Sequence, residues 1–160
     1  MKSIFDTGET LYADGGCVLK NPSEIGITWA YCLVDADDKL IRSDYGFIAF
    51  KGGTNNQAEM ISCVIGMESL PLAWCGTLAS DSKITLGRLF EGNAVKNLPL
   101  DYVKRAKAAM ERLGVVEPKH LDGHATKKQL ETGIGKNGNP TSKWNSECDR
   151  LANLAKVGHQ

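Results

Sequence analysis

Bulky and small side chains alternate cleanly from Ile25 to Val34, which predicts a strand with one bulky and one small face. A polar turn follows, and an extended pattern resumes from Lys39 to Phe50. Upstream, the run Leu11–Ala13 is typical of the end of a buried strand that carries Asp14 out of the core. The three segments together predict an antiparallel three-stranded meander.

The chain then changes to helical spacing. Thr54 and Gln57 stand at the spacing of a capping box, so a helix is expected to begin there. Apolar residues three and four positions apart continue this helix to about Leu70, and Pro71 marks its end.

The second half of the chain predicts two more strands and three more helices. In chain order these are a strand over 77–81, a short helix over 82–90, a loop over 92–99, an amphipathic helix that Asp101 caps and Gly114 ends, a strand over 115–121, and a final helix capped by Ser142. Pro118 indicates that the last strand lies at an edge or contains a bulge. Residues 122–140 have no apolar period and several glycines, so we expect a mobile loop there.

Composition is that of an ordinary globular protein. The chain has 160 residues, 42% of them apolar and 24% charged, and we expect one domain over 1–160 with its core at about residues 10–156. No apolar run approaches the length of a membrane span, and the N-terminus lacks the apolar stretch of a signal peptide. The five cysteines have no Cys-x-x-Cys spacing, which indicates reduced thiols and a cytoplasmic location.

A net charge of zero hides an asymmetry between the two halves of the chain. Residues 1–81 carry 5 Lys/Arg and 11 Asp/Glu, whereas residues 82–160 carry 14 and 8. The basic half is able to meet a polyanion while the acidic half holds a metal ion. Charge scattered over solvated faces is the simpler interpretation, and the counts alone leave both open.

Four carboxylates stand where predicted elements begin or end. They are Asp14 at the end of the first strand, Glu59 in the first turn of the first long helix, Asp81 at the end of the fourth strand, and Asp149 in the second turn of the last helix. Sites in α/β sheets form beyond strand ends, and clustered carboxylates repel one another unless a cation neutralises them. Mg²⁺ prefers such ligands, and two ions about 3.5–4 Å apart can promote phosphodiester cleavage. Taken singly, Asp14 is also explained as a turn residue and Glu59 by the helix dipole.

The chain resembles the type I ribonucleases H. The matching pieces occur in family order and span residues 12–152: Tyr12-Ala13-Asp14-Gly15-Gly16-Cys17, Asn21-Pro22, Thr54-Asn55-Asn56-Gln57-Ala58-Glu59, Ser80-Asp81-Ser82, Gly123-His124-Ala125, and Asn145-Ser146-Glu147-Cys148-Asp149-Arg150-Leu151-Ala152. Each piece is weak alone, and the ordered set is specific. The resemblance implies an α/β ribonuclease H-like fold, with a five-stranded mixed sheet of three antiparallel and then two parallel strands, flanked by helices.

The resemblance also implies an activity. The substrate would be the RNA strand of an RNA–DNA hybrid, cut endonucleolytically to leave 3′-hydroxyl and 5′-phosphate ends. Two Mg²⁺ ions, with Mn²⁺ as a substitute, would be held by Asp14, Glu59, Asp81 and Asp149. Asp14 would bridge both ions, with Asp149 on the water side and the other two carboxylates on the leaving-group side. His124 would assist catalysis or product release from a loop that moves.

Further residues would contact the hybrid. Asn21, Asn55, Asn56 and Gln57 would lie in the minor groove, where 2′-hydroxyls distinguish RNA from DNA, and Thr54 would help hold a phosphate of the DNA strand. The full set of implied substrate-binding residues is Gly15, Gly16, Cys17, Asn21, Thr54, Asn55, Asn56, Gln57, Ser82 and Asn145. A monomer without membrane association or an obligate protein partner is expected.

Three departures from the family pattern concern substrate binding. Gly16 stands where serine is common, and Gln57 replaces a frequent arginine. The segment 82–102 is too short for the basic protrusion of many bacterial members, and we expect no separate hybrid-binding domain before Asp14. Affinity for the hybrid would then come from the remaining basic surface, for which the candidates are Lys104, Arg105, Lys127 and Lys128.

Two alternatives remain open on the sequence. One is a DNA-processing nuclease of the same fold, such as a junction resolvase or a proofreading exonuclease. Exonucleases of this kind use Asp-x-Glu in the first strand, where this chain has Asp14-Gly15-Gly16. The other alternative is a hybrid-binding module with a silent site, against which the presence of all four carboxylates argues.

Overall fold

The computed structural model describes residues 5–93 and 98–160. The elements in these ranges are β1 (Thr10–Cys17), β2 (Gly26–Val34), β3 (Leu40–Ala49), α1 (Asn55–Glu68), β4 (Gly76–Ser80), α2 (Lys83–Phe90), α3 (Leu100–Arg112), β5 (Val116–His120), α4 (Lys127–Thr132) and α5 (Lys143–Leu154). The predicted order of elements is confirmed, with α4 as an addition. None of these helices is long and apolar enough to cross a membrane.

The five strands form one mixed sheet in the order β3–β2–β1–β4–β5. Strands β1, β2 and β3 are the predicted antiparallel meander, whereas β4 runs parallel to β1 and β5 parallel to β4. Because β5 is an edge strand, Pro118 is tolerated within it, as its position in the sequence indicated.

Helices cover both faces of the sheet. On one face, Leu11 and Ala13 of β1 form a cluster with residues of α1 and α3. On the other face, Tyr12 lies in a cluster with residues of α5. Alternate residues of β1 therefore serve two cores, which is why a continuous apolar run precedes Asp14.

The two strands next to β1 pair with it over different lengths. Strand β4 pairs with β1 only from Thr10 to Tyr12, whereas β2 pairs with it as far as Cys17. Beyond Tyr12 the sheet is therefore open on the β4 side. Asp14 lies just past this point, so the change from parallel to antiparallel pairing determines where the site is located.

The prediction of a loop over 122–140 is wrong in part, because the segment contains regular structure. Helix α4 lies within it, begun by a capping box between Thr126 and Gln129, and a β-bridge joins Ile134 to Pro140. Hydrogen bonds rather than apolar contacts organise the segment, so it leaves no hydrophobic period in the sequence.

Two smaller predictions concern the start of α3. The helix begins at Leu100 after Pro99, whose position carries no side-chain cap, and Asp101 lies in the first turn instead of capping it. The loop expected over 92–99 includes residues 94–97, which lie outside the described residues.

Candidate metal centre and substrate cleft

Three of the four predicted carboxylates converge. Oxygen atoms of Asp14, Glu59 and Asp81 all lie within 4.8 Å of one another. Asp14 is buried and does not end β1 as predicted, because the strand continues to Cys17 through its pairing with β2. The carboxylate of Asp14 accepts a hydrogen bond from the backbone N–H of Gly15 at 2.9 Å.

Glu59 reaches this group from α1. It is the fifth residue of the helix, since Thr54 is the cap, and so it lies beyond the first turn in which the sequence placed it. Its Oε2 atom is buried without a hydrogen-bond partner among the described residues. The helix dipole therefore does not explain Glu59, and an unpartnered carboxylate oxygen facing two other carboxylates is what a cation would satisfy.

Asp81 follows β4 directly and is held from two sides. The Nδ2 group of Asn145 on α5 donates to Oδ2 of Asp81 at 3.3 Å. On the other side, a Cβ atom at Gly123 would lie 2.4 Å from the same Oδ2 atom, so a larger residue there would displace this carboxylate. Asn145 was predicted to bind substrate, and in the structure it positions Asp81.

The metal-free group is electrostatically unfavourable. Burial, together with the charges of Asp81 and Asp149, raises the pKa of Asp14 from its usual 3.8 to about 7. Burial and the charge of Asp14 raise the pKa of Glu59 well above its ordinary range, and burial raises the pKa of Asp81. Protons or cations must compensate these charges, and a divalent cation would be able to do so at neutral pH.

Asp149 and His124 line the same cleft, which has a volume of about 650 Å³. Asp149 lies outside the close group of three, and its Oδ2 atom accepts from Nδ2 of Asn153 at 3.4 Å. His124 is exposed and has a φ of +52°, a conformation that few residues other than glycine adopt. The structure therefore brings all five predicted catalytic residues to one cleft, with carboxylate oxygens of three of them within 4.8 Å of one another.

Predicted substrate residues on β1, on α1 and in the segment between β1 and β2 form a hydrogen-bonded network. Oδ1 of Asn21 accepts from the backbone N–H of Asn55 at 3.1 Å, and Oδ1 of Asn55 accepts from the N–H of Cys17 at 3.2 Å. Both oxygens are therefore used internally, and each Nδ2 group is left as the donor for another acceptor. The Cys17 thiol is buried and donates to the carbonyl of Gly53 at 3.2 Å.

The capping residues have a structural role. Thr54 and Gln57 exchange both bonds of the predicted capping box, and Gln57 is buried. Ser82 caps α2 by accepting a hydrogen bond from the backbone N–H of Thr85, without a reciprocal bond. Asn56 lines a shallow depression next to the carboxylates, which it shares with Asn55, Glu59, Asp81 and Ser82. Contact of these residues with a substrate stays a prediction.

Four further polar residues line the cleft that the sequence did not identify as site residues. They are Lys136, Asn137, Asn153 and Lys156. Lys136 and Asn137 lie in the segment predicted as a mobile loop, and Lys156 follows the last helix. Asn153 lies four residues after Asp149 on the same helix, a spacing that could have indicated it. The two lysines and Asn137 reach the cleft through tertiary contacts, so no spacing to a motif marked them.

The basic surface predicted on α3 is partly neutralised. Arg105 forms a two-pronged ion pair with Glu68 of α1 and lies 4.6 Å from the centre of the Tyr102 ring. Glu68 raises the pKa of Arg105 above its already high value. Lys104 beside it is exposed. A phosphate would therefore have to compete with Glu68 for Arg105.

Gly15 determines how closely α1 approaches β1. A Cβ atom there would lie 2.5 Å from the carbonyl oxygen of Ala58 and 2.5 Å from Oγ of Ser62. We expect Gly15→Ala to destabilise the protein by about 1–3 kcal/mol, because backbone must move. Activity should fall as well, since the same helix carries Glu59.

Gly16→Ala is the matched control for Gly15→Ala. At Gly16 the nearest atom to an added Cβ is the flexible Nζ of Lys156, at 3.3 Å. Urea unfolding of the two variants measures the difference, and equal midpoints would contradict close packing at Gly15.

No protein-family model and no curated protein matches the chain. Solved structures do match it. RNase H1 from the halophilic archaeon Halobacterium salinarum is 20% identical with a TM-score of 0.64, over 92% of this chain and 96% of the other. The N-terminal RNase H domain of Rv2228c from Mycobacterium tuberculosis is 19% identical with a TM-score of 0.66, over 92% of each chain.

A third similar structure comes from compost metagenomics. LC11-RNase H1 is 21% identical with a TM-score of 0.67, over 93% of this chain and 95% of the other. A second structure of LC11-RNase H1 contains an RNA/DNA hybrid, and it matches at 18% identity with a TM-score of 0.64 over 92% and 95% of the two chains. Together with the sheet order, these matches confirm the predicted architecture: the chain has the ribonuclease H fold.

Proposed function

We propose that this protein is a type I ribonuclease H, which hydrolyses the RNA strand of RNA–DNA hybrids with the help of divalent cations. The observation that carries the proposal is the convergence of Asp14, Glu59 and Asp81 where the sheet opens. It is supported by the hybrid bound to LC11-RNase H1, a protein of the same fold.

The carboxylate group fits divalent cations. The three residues offer only oxygen ligands, and the buried Oε2 of Glu59 has no partner among the described residues. Asp14, Glu59 and Asp81 would hold the ions together with Asp149, and Mg²⁺ is the proposed ion, with Mn²⁺ as a substitute. Two bound ions would supply an activated water and stabilise the charge on the leaving oxygen.

The proposed reaction is the hydrolysis of one phosphodiester bond. A water oxygen attacks phosphorus, the bond to the 3′ oxygen breaks, and the products carry a 3′-hydroxyl and a 5′-phosphate. Asn145 would hold the Asp81 carboxylate in place during this step, and the missing side chain at Gly123 leaves room for that carboxylate. His124 at the cleft wall is in a position to exchange a proton with the products or to assist their release.

Recognition of the RNA strand is proposed to use the network of Asn21 and Asn55. Because the Oδ1 atoms of both residues accept internal bonds, their Nδ2 groups are oriented as donors to the minor groove. Asn56 would join them from the adjoining depression. Sugar 2′-hydroxyls there distinguish RNA from DNA.

The proposal also includes the oligomeric state and the cellular location of the enzyme. The proposed enzyme is a monomer that acts in the cytoplasm, and the five cysteines, all of which are free thiols, are consistent with that location. A proofreading exonuclease of this fold is disfavoured, because β1 has Gly16 where such enzymes carry a second carboxylate. A silent binding module is disfavoured by the convergence of the carboxylates.

Cleavage assays on end-labelled 20-mer substrates test the proposal. The protein should cut the RNA strand of a hybrid with Mg²⁺ or Mn²⁺, lose this activity in excess EDTA, and leave duplex DNA intact. Activity that survives chelation would rule out metal-dependent chemistry. Equal cleavage of single-stranded RNA would rule out hybrid specificity, and binding without cleavage would favour the silent module.

A further inference from the structure

Two lysines that belong to no recognised motif enter the cleft from different parts of the chain. Lys136 comes from the hairpin at residues 133–141, and Lys156 comes from the turn that follows α5. We infer that these two side chains bind phosphate groups of the hybrid on either side of the carboxylates. The inference rests on the proposed function and names the residues that replace a basic protrusion.

Hydrogen bonds to a buried carboxylate hold the hairpin that carries Lys136 in place. The carboxylate of the buried Asp122 accepts bonds from the backbone N–H groups of Asn137 and Asn139 and from Nδ2 of Asn139, at 2.8, 3.3 and 2.9 Å. These bonds hold the pKa of Asp122 below its usual value. A Cβ atom at Gly135 would lie 2.4 Å from Asp122, so the chain can close around this carboxylate only with glycine there.

The backbone at Lys156 is positioned from the opposite direction. The turn at 155–159 continues α5 through hydrogen bonds such as that from His159 N–H to the Lys156 carbonyl at 3.0 Å. The ring of His159 stacks on Phe47 of β3 with ring centres 3.7 Å apart. Lys156 then lies over Gly16, past Asp14 on β1. Lys136 enters on the side of Gly123, because the adjacent Asn137 donates its backbone N–H to Asp122, the residue before Gly123.

Neither lysine is neutralised by a carboxylate. Although four carboxylates line the same cleft, no ion pair within 4.0 Å involves Lys136 or Lys156 in the described part of the chain. Two divalent cations would balance the four carboxylates, and the two ammonium groups would then leave the cleft positively charged. A phosphodiester strand is the ligand that such a cleft attracts.

The test compares Lys136→Ala and Lys156→Ala with Lys39→Ala. Lys39 is exposed in the turn after β2, at the far end of the sheet, where Val34 pairs with Thr10. Each cleft variant should raise KM for the hybrid roughly tenfold and reduce the salt dependence of log(kcat/KM) by about one unit, with kcat little changed. Lys39→Ala should behave like wild type.

Arginine variants and a binding measurement distinguish the loss of a charge from a loss of folding. Lys136→Arg and Lys156→Arg should restore the salt slope, because arginine also binds phosphate. The same differences in salt slope should be seen when each lysine variant is combined with Asp81→Asn and the binding of a fluorescent hybrid is measured with Mg²⁺. If wild type cleaves hybrid but the alanine variants keep the slope of Lys39→Ala, the inference fails while the proposed function stands. If wild type does not cleave, the proposed function fails.

Discussion

Asp81→Asn is expected to abolish hybrid cleavage, with kcat reduced by roughly a thousandfold or more, because it removes one negative charge from the group that must hold the cations. The side chain keeps its size, and its remaining oxygen can still accept from Asn145. The fold should therefore be retained, as measured by circular dichroism. Steady-state kinetics on a labelled hybrid give the loss.

The loss of kcat in Asp81→Asn is to be compared with the loss in a variant of His124. Because His124 has a φ of +52°, asparagine is a better replacement than alanine, since it tolerates this conformation and does not titrate. His124→Asn should lower kcat by about 10- to 100-fold, within the range of acid–base assistance or below it, and leave KM nearly unchanged.

Two outcomes would contradict these assignments. A fully active Asp81→Asn would remove the two-cation interpretation of the carboxylate group. A His124→Asn as inactive as Asp81→Asn, with an unchanged circular dichroism spectrum, would mean that the histidine is a ligand rather than an assisting group.

Much of the fold was predictable from local patterns. The alternation in β2 and the capping box at Thr54 are short-range signals, and both are confirmed. The position of Asp14 within its strand was not predictable, because β1 ends at one residue with respect to β4 and at another with respect to β2. Strand β1 stops pairing with β4 at Tyr12 but continues along β2, and a sequence does not show two different ends for one strand.

The missed part of the site depends on long-range hydrogen bonds. Asp122 organises the hairpin that carries Lys136 through three bonds to residues 15 and 17 positions away, and such bonds have no hydrophobic period. Lys156 is placed by the stacking of His159 on Phe47, a contact across most of the chain. Motifs located the carboxylates, whereas the lysines required tertiary structure.

Asp14→Asn is expected to stabilise the metal-free protein at neutral pH while abolishing cleavage. In the wild type, burial and neighbouring carboxylates raise the pKa of Asp14 from 3.8 to about 7. The folded protein therefore binds this proton more tightly than the unfolded chain. The resulting stabilisation is complete below pH 3.8 and is lost as the pH rises through about 7.

The measurement is Tm in EDTA between pH 5 and pH 8, a window above the range in which Asp38 and Asp122, whose pKa values are lowered, would titrate. Wild-type Tm should fall across this window, and Asp14→Asn should flatten the slope and raise Tm at pH 8. The difference in unfolding free energy should be on the order of a few kcal/mol. Glu59 and Asp81 have raised pKa values as well and give a slope of the same sign.

Mg²⁺ provides the second arm of this experiment. Cation binding to the folded state should raise the Tm of the wild type at pH 8, and it should raise the Tm of Asp14→Asn much less, since a ligand has been removed. Asp122→Asn is the isosteric control, because it loses hydrogen bonds in the hairpin and should lower Tm with or without Mg²⁺. A lower Tm for Asp14→Asn in EDTA at pH 8 would show that the carboxylate group is not repulsive, and that Asp14 serves stability rather than cation binding.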